Sequence, residues 1–347
     1  MIAMEGGSRG IPESLPIVEN GGSRPFTLSV ATFNVGNGKR GPEALRKAMD
    51  RMVQLSAGGP GIIGFQEMPP RSAVELNMQL PQHWGMRHFI NPTDPDLSMA
   101  VAFDVSQLQL ASDVESVSLA PLLSWHRHLE IPHRPEPLRR EAQIFHFTLT
   151  EDPSVHIVFV NTHLSVRGKL PQRQKEMDEV MTHVSAFMHR EGLLDAETDT
   201  VMPGSAIATY IVGDFNTPGR VGSKRNQRQT ERLQLFEQGF EKLNDRLDPT
   251  SNTLSSMLHF AHTFTGDKAL EWAKRVGERA RRGVRQRQLF EAVIESAQQH
   301  RDHIFSKLYG LTRQENWENK VFGPPEHPRE SDHFMVFTGS VLARNSK

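Results

Sequence analysis

The chain has 347 residues, 37% of them apolar and 23% charged, enough for one large α/β domain or two small ones with a solvated surface. Lys plus Arg (40) nearly balance Asp plus Glu (41), and the formal net charge of −1 excludes a polycation that binds nucleic acid by bulk charge. With no cysteine, disulfides, a thiolate nucleophile and thiolate-held zinc or iron–sulfur sites are excluded; any metal must be held by oxygen or imidazole.

Residues 1–25, rich in Gly, Ser, Pro and Glu, read as a disordered leader without a signal-peptide run. No window approaches the roughly 18 consecutive apolar residues of a membrane span, so the expectation is a soluble intracellular protein. Thr27–Val35 predicts a strand. Pro42 opens a helix through Leu55, with Leu45, Met49, Met52 and Val53 on one face. Ile62–Gln66 is a short strand ending at Glu67. Met99–Phe103, Gln143–Leu149, Val155–Thr162 and Ala208–Gly213 predict further strands, each a β-branched or aromatic run between turn signals. Leu170–Met188 predicts a helix with Met177, Val180, Met181 and Val184 inward, and Thr230–Phe240 another. Residues 268–300, with eight Lys or Arg against four Glu, read as a helical insertion. Phe334–Leu342 is the last strand. Strands with intervening helices in both halves imply two packed sheets with helices outside.

Polar residues fall where these strands end. Asn34 follows Leu28–Phe33, Glu67 follows Ile62–Gln66, and Asn161-Thr162-His163 follows Ile157–Val160. Asp214 and Asn216 follow Tyr210–Gly213, and Asp332-His333 precedes the final strand. Loops at the ends of a rigid sheet are where ligand sites form. Oxygen ligands of this kind suit a hard divalent cation, Mg²⁺ first and Mn²⁺ second, with Glu67 the leading ligand and Asp332 and the Asp214/Asn216 pair behind it. Histidines beside acids supply water activation and donors for developing negative charge. Taken singly, Asn34 and Asn216 fit turn formers, Glu67 an exposed strand terminus and His163 a satisfied half-buried ring. Together those bland readings need six unrelated coincidences.

The fragments Thr32-Phe33-Asn34-Val35, Gln66-Glu67, Asn161-Thr162-His163-Leu164, Gly213-Asp214-Phe215-Asn216, Asp302-His303-Ile304-Phe305 and Ser331-Asp332-His333 occur in an order that resembles the endonuclease/exonuclease/phosphatase superfamily, the deoxyribonuclease-I-like fold. Arg139-Arg140-Glu141-Ala142 is similar to that family's phosphate-contacting arginine segment. The resemblance spans residues 26–345. It implies a four-layer α/β/β/α sandwich of two mixed sheets with outer helices, here carrying the helical insertion. It implies that Glu67 and Asp332 bind the metal, with Asn34 helping to hold it or the phosphate. Asp214 and Asn216 would orient the attacking water. His333 would pair with Asp302, as base or as donor to the phosphoryl oxygen; His163 would contact the phosphate from the opposite side and Arg140 would neutralise it. One departure is clear: nuclease members carry an acidic partner for the first histidine in the strand that here reads Leu97–Phe103, and no acid stands there.

The expected activity is metal-dependent phosphoester hydrolysis, with a nuclease-like phosphodiesterase leading. Arg140, the basic loop Lys224-Arg225-Asn226-Gln227-Arg228 and the Arg-rich insertion are positioned in sequence to track a phosphate backbone. A phosphatase or phospholipase-type esterase acting on a lipid or sugar phosphate is the rival reading. A third is a non-catalytic member that binds phosphate ligands. The sequence is silent on oligomeric state.

Overall fold

The computed structural model describes residues 25–36, 42–56, 59–119, 139–165, 170–216, 235, 238–242, 251–252, 298–299, 302–322 and 335–345. The first half of the chain builds one sheet. Strand β1 (Phe26–Asn34) leads through helix α1 (Pro42–Ser56) to β2 (Gly61–Gln66), then helix α2 (Pro70–Asn77), β3 (Trp84–Phe89) and β4 (Met99–Asp104). The second sheet takes β5 (Leu108–Leu110), β6 (Glu115–Ser118), β7 (Glu141–Leu149) and β8 (Val155–His163). Helix α3 (Leu170–Arg190) then leads to β9 (Ala206–Asp214) and β10 (Glu241–Lys242). A separate pair, β11 (Ser251–Asn252) and β12 (Gln298–Gln299), precedes β13 (Asp302–Tyr309), β14 (Leu311–Phe322) and β15 (Met335–Arg344).

The six-stranded sheet runs β14-β15-β1-β2-β4-β3 and the seven-stranded sheet runs β10-β13-β9-β8-β7-β5, with β6 also on β7. Both are mixed: β1 with β2 and β8 with β9 are parallel, joined by crossovers through α1 and α3, and the other pairings are antiparallel. Side-chain alternation divides each strand between two cores. Leu28, Val30, Ile62, Phe145, Phe159 and Tyr210 lie between the sheets. Ala31, Phe33, Ile63 and Phe65 turn outward to Leu45, Met49 and Met52 of α1, whose i, i+4, i+7 spacing makes one stripe. Val158, Val160, Ile207 and Ile211 meet Met177, Val180, Val184 and Phe187 of α3 in the same way. The result is the expected four-layer α/β/β/α sandwich. No described helix is long and apolar enough to cross a membrane.

Several elements carry no sequence signal of the expected kind. β14 reads Leu-Thr-Arg-Gln-Glu-Asn-Trp-Glu-Asn-Lys-Val-Phe and sits at a sheet edge, where charge and two register shifts are tolerated and the period-2 apolar pattern is lost. β3 is the opposite edge and is only partly buried. The helix expected over Thr230–Phe240 needs correction at its end. Leu235 is helical, but Gln238 and Gly239 form a turn, Gly239 takes φ 80°, and Phe240 N–H donates to Leu235 O (2.8 Å). The insertion also ends differently: Gln298–Gln299 is extended and pairs antiparallel with Ser251–Asn252, which brings the two ends of segment 253–297 side by side. The rest of the insertion and the leader 1–24 lie outside the described residues.

A histidine pair on the outer face of the second sheet gives one pH prediction. His146 stands edge-on to Phe187, its Nε2 3.0 Å from His156 Nδ1 and its Nδ1 3.9 Å from Glu191 Oε2. Burial, and then the neighbouring His156, push its pKa down from 6.5 to about 4, against the pull of Glu191. The unfolded ring binds a proton at higher pH than the folded one. Stability from the neutral ring is therefore full above 6.5 and lost as pH falls through about 4. After allowance for solvent screening, this is on the order of 2 kcal/mol. His146→Leu is expected to flatten the fall of Tm across that window; an unchanged Tm–pH slope would assign the acid sensitivity elsewhere.

Candidate active site

On the inner face of the second sheet, successive rungs change chemistry toward the end where β8 and β9 finish. Phe145 and Phe159 stand opposite one another in the dry core, ring centroids 6.5 Å apart. The next rung is Gln143 opposite Asn161. The facing sheet changes in step, from Val30/Ile62 through Thr32/Gly64 to Asn34/Gln66. Asn161 ties the layers together: Nδ2 donates to Phe65 O (3.1 Å) and Ala100 O (3.2 Å), and Oδ1 accepts from Gln66 Nε2 (2.6 Å). Gly64 permits this approach, because a Cβ there would lie 2.7 Å from Asn161 Oδ1. Neutral amides thus close the core, Asn161 and Gln66 with their hydrogen bonds made and Gln143 Nε2 without a partner, and the ionisable groups begin one rung beyond.

Those groups converge. Asn34 Nδ2 donates to both Asp214 Oδ2 (2.9 Å) and Glu67 Oε1 (3.2 Å), while its Oδ1 accepts from Gly36 N–H (2.9 Å), which fixes the amide with its NH₂ toward the two carboxylates. His163 Nε2 lies 3.6 Å from Glu67 Oε1 and 3.8 Å from Asp214 Oδ2. Arg140 Nη1 reaches the same ring, 3.0 Å from Nδ1 and 3.2 Å from Nε2. Burial pushes the Arg140 pKa below its ordinary value, and Glu67 and Asp214, then Glu176 and Asp94, pull it back. Two carboxylates therefore meet one guanidinium and one imidazole in a nearly dry cluster: Asn34, His163 and Asp214 are each at most 1% exposed.

Backbone geometry aims these side chains. Glu67 (φ 52°) and Asn216 (φ 48°) are two of only three described non-glycine residues with positive φ. Left-handed conformations off glycine cost free energy and concentrate at functional sites. At Asn216 the turn closes when its N–H donates to Asp214 Oδ1 (2.7 Å), and its Nδ2 binds Leu164 O (2.8 Å). The loop after His163 is anchored by Glu176 of α3, which accepts from both Ser165 N–H (2.9 Å) and Ser165 Oγ.

The structure thus brings together Asn34, Glu67, Arg140, His163, Asp214 and Asn216. Asp302 stands opposite Asp214 in the β9–β13 ladder, but its side chain lies outside the described residues, as do Asp332 and His333 entirely. Among the described residues no group of three or more His, Asp and Glu is arranged to hold a metal. The donor chemistry still suits a hard cation, since Glu67 and Asp214 present carboxylate oxygens to one small volume. Sequence reasoning assigned no role to Glu176 or to Glu141, which stands beside Arg140 with its carboxyl buried. Glu176 lies on an ordinary amphipathic helix and gave no signal.

No family model matches the chain, and no curated protein does. Solved structures match it over nearly its whole length. An endonuclease/exonuclease/phosphatase family protein of Bacteroides thetaiotaomicron is 16% identical and superposes with a TM-score of 0.56 over 92% of this chain and 96% of its own. The chain has the endonuclease/exonuclease/phosphatase fold. A mannosyl-6-phosphatase of Bacteroides thetaiotaomicron shares that fold at 16% identity and TM-score 0.54, over 90% of this chain and 98% of its own. So does a Cimex nitrophorin in a ferrous NO complex, at 10% identity and TM-score 0.50, over 92% and 99%. An endonuclease/exonuclease/phosphatase fold is therefore compatible with more than one chemistry, and the activity has to be argued from the side chains.

Proposed function

We propose that this chain is a Mg²⁺-dependent phosphoester hydrolase, with a phosphodiester, nucleic acid first, as substrate. The observation that carries this reading is the Asn34 amide, which holds the carboxylates of Glu67 and Asp214 against His163. Like charges held together at a buried site favour a cation between or beside them. Glu67, with Asp332, would hold the metal. When bound, such an ion neutralises charge developing on the phosphoryl oxygens.

The chain's own residues supply the rest. Asp214, with both oxygens fixed by Asn34 and the Asn216 N–H, orients the attacking water and takes its proton. Arg140, its Nη1 3.0 Å from His163 Nδ1, keeps a fixed positive charge behind the imidazole that faces the phosphate. His333, paired with Asp302, is assigned the donor to a phosphoryl oxygen from the other side. The neutral amide floor excludes water from below without adding charge of its own.

Purified protein should be assayed with Mg²⁺ on single- and double-stranded DNA, RNA, sphingomyelin and inositol phosphates. Turnover of a nucleic acid, abolished by EDTA and restored by Mg²⁺ or Mn²⁺, is the expected result. Glu67→Gln is expected to weaken the apparent Mg²⁺ affinity by about tenfold or more. Turnover confined to a lipid or sugar phosphate would change the substrate class and keep the site. No metal-dependent turnover on any of them would sink the hydrolase reading.

A further inference from the structure

One loop of the first sheet touches the chain beside two charged groups of the site. Residues 91–98 lie between β3 and β4. At one end, Ser98 O accepts from the N–H of Met68 (2.8 Å), the residue after Glu67. At the other, Asn91 Nδ2 donates to Arg139 O (3.0 Å), and Arg139 N–H donates to Thr93 Oγ1 (3.3 Å). Ser98 Oγ closes the loop on itself, accepting from Asn91 N–H (3.0 Å) and donating to Pro95 O (2.6 Å).

Asn91 is 1% exposed, and the two halves of its amide do different things. Its Oδ1 accepts from Thr93 N–H (2.9 Å), Thr93 Oγ1 (2.7 Å) and Asp94 N–H (3.1 Å), an Asx turn that Asp would form equally well. Those donors fix the amide with its NH₂ toward Arg139 O. An ionised Asp in that place would have no hydrogen to give. The turn therefore accounts for the oxygen and leaves the donor to be explained.

What that donor fixes is the origin of the Arg140 side chain. Both backbone polar groups of Arg139 are held by the loop, and Arg140 O accepts from the N–H of Leu119 (2.8 Å), the residue after β6. The Arg140 backbone is thus tied to the first sheet on one side and to the second on the other. From there its buried guanidinium reaches the His163 ring, Nη1 standing 3.0 Å from Nδ1. Asp94 of the same loop acts electrostatically on that guanidinium.

We propose that Asn91 is a positioning residue for Arg140: through Arg139 it sets where the guanidinium stands beside His163, and so where positive charge meets the phosphate. This rests on the hydrolase reading above, in which Arg140 neutralises the phosphate. Arg carries its charge at the end of a long side chain, which magnifies a small rotation of the backbone it starts from. A displacement of about 1 Å at a reacting centre costs on the order of 100-fold in rate. The fold spends a fully buried amide on preventing that rotation, and the bond it makes crosses from one sheet's loop to the other sheet's strand entry.

The test is a double-mutant cycle of Asn91→Ala with Arg140→Gln. It is read twice: as kcat/KM with Mg²⁺ on whichever phosphoester is turned over, and as Kd for inorganic phosphate by calorimetry. With Arg140 in place, Asn91→Ala is expected to lower kcat/KM by about 20-fold and to weaken phosphate binding by about fivefold or more. In the Arg140→Gln background the same change should cost less than about twofold in either, because the group it positions is gone. A residue that only stabilises the fold costs the same in both backgrounds. Equal losses in both, or a loss under about twofold beside Arg140, would overturn the role of Asn91 and leave the hydrolase reading standing. Asn91→Asp covers the case in which Arg140→Gln does not fold: it keeps the turn and loses the donor, so it is expected to match the losses of Asn91→Ala at a Tm closer to wild type. Wild-type turnover and phosphate affinity in Asn91→Asp would equally overturn the role. If wild type binds phosphate but turns over nothing, the hydrolase reading falls and the Kd cycle alone decides for or against Asn91. Neither binding nor turnover would overturn both.

Discussion

Asp214→Ala is expected to lower kcat/KM for Mg²⁺-dependent phosphoester hydrolysis by about 10³-fold or more, the range that removal of a water-orienting base and its electrostatic partners produces. Asp214 is where three separate parts of the fold meet. The Asn34 amide comes from the facing sheet, His163 from the neighbouring parallel strand, and the Asn216 N–H from the turn that follows. The substitution leaves the Asn34 NH₂ with Glu67 and deprives the Asn216 N–H of its acceptor. It also removes one of two adjacent carboxylates, a repulsive pair in the metal-free protein. The loss of a turn hydrogen bond and the relief of that repulsion oppose each other, so Tm is expected to move little while activity collapses. Steady-state kinetics beside a thermal melt checks both halves. Activity within tenfold of wild type would mean that the water is activated elsewhere.

Most of the central strands were legible in the sequence because they are buried on both faces and read as continuous β-branched and aromatic runs. β1, β2, β4, β7, β8 and β9 belong to this class, as does β15, and each was found within a few residues of its ends. Edge strands such as β3 and β14 escaped because solvent on one side removes the need for apolar residues. In the site, Asn34, Glu67, His163, Asp214 and Asn216 were legible as polar residues that interrupt apolar runs at strand ends. Their left-handed turns and shared hydrogen bonds were not, since φ at Glu67 and Asn216 depends on where the next segment must go.

The close approach of β8 and β9 is itself testable, through Gly213. This residue takes φ 144°, and a Cβ built on it would lie 1.8 Å from Thr162 O and 2.8 Å from the Thr162 carbonyl carbon. Backbone atoms cannot swing aside as a flexible side chain can. Gly213→Ala therefore has to push apart the two strands whose next residues are His163 and Asp214, besides straining its own dihedral. A destabilisation of about 4 kcal/mol follows, or a fall in Tm of roughly 10 °C, with hydrolysis lost even where the protein stays folded. Gly204 supplies the control: it too has positive φ, 86°, but its Cβ would meet nothing within 4 Å. Gly204→Ala should show the dihedral strain alone, about 1 kcal/mol, and keep activity. The difference between the two variants isolates the steric part, because both carry the conformational part. Equal Tm values for Gly213→Ala and Gly204→Ala would mean that β8 and β9 are not held as closely as described, and the contact between His163 and Asp214 would lose its support.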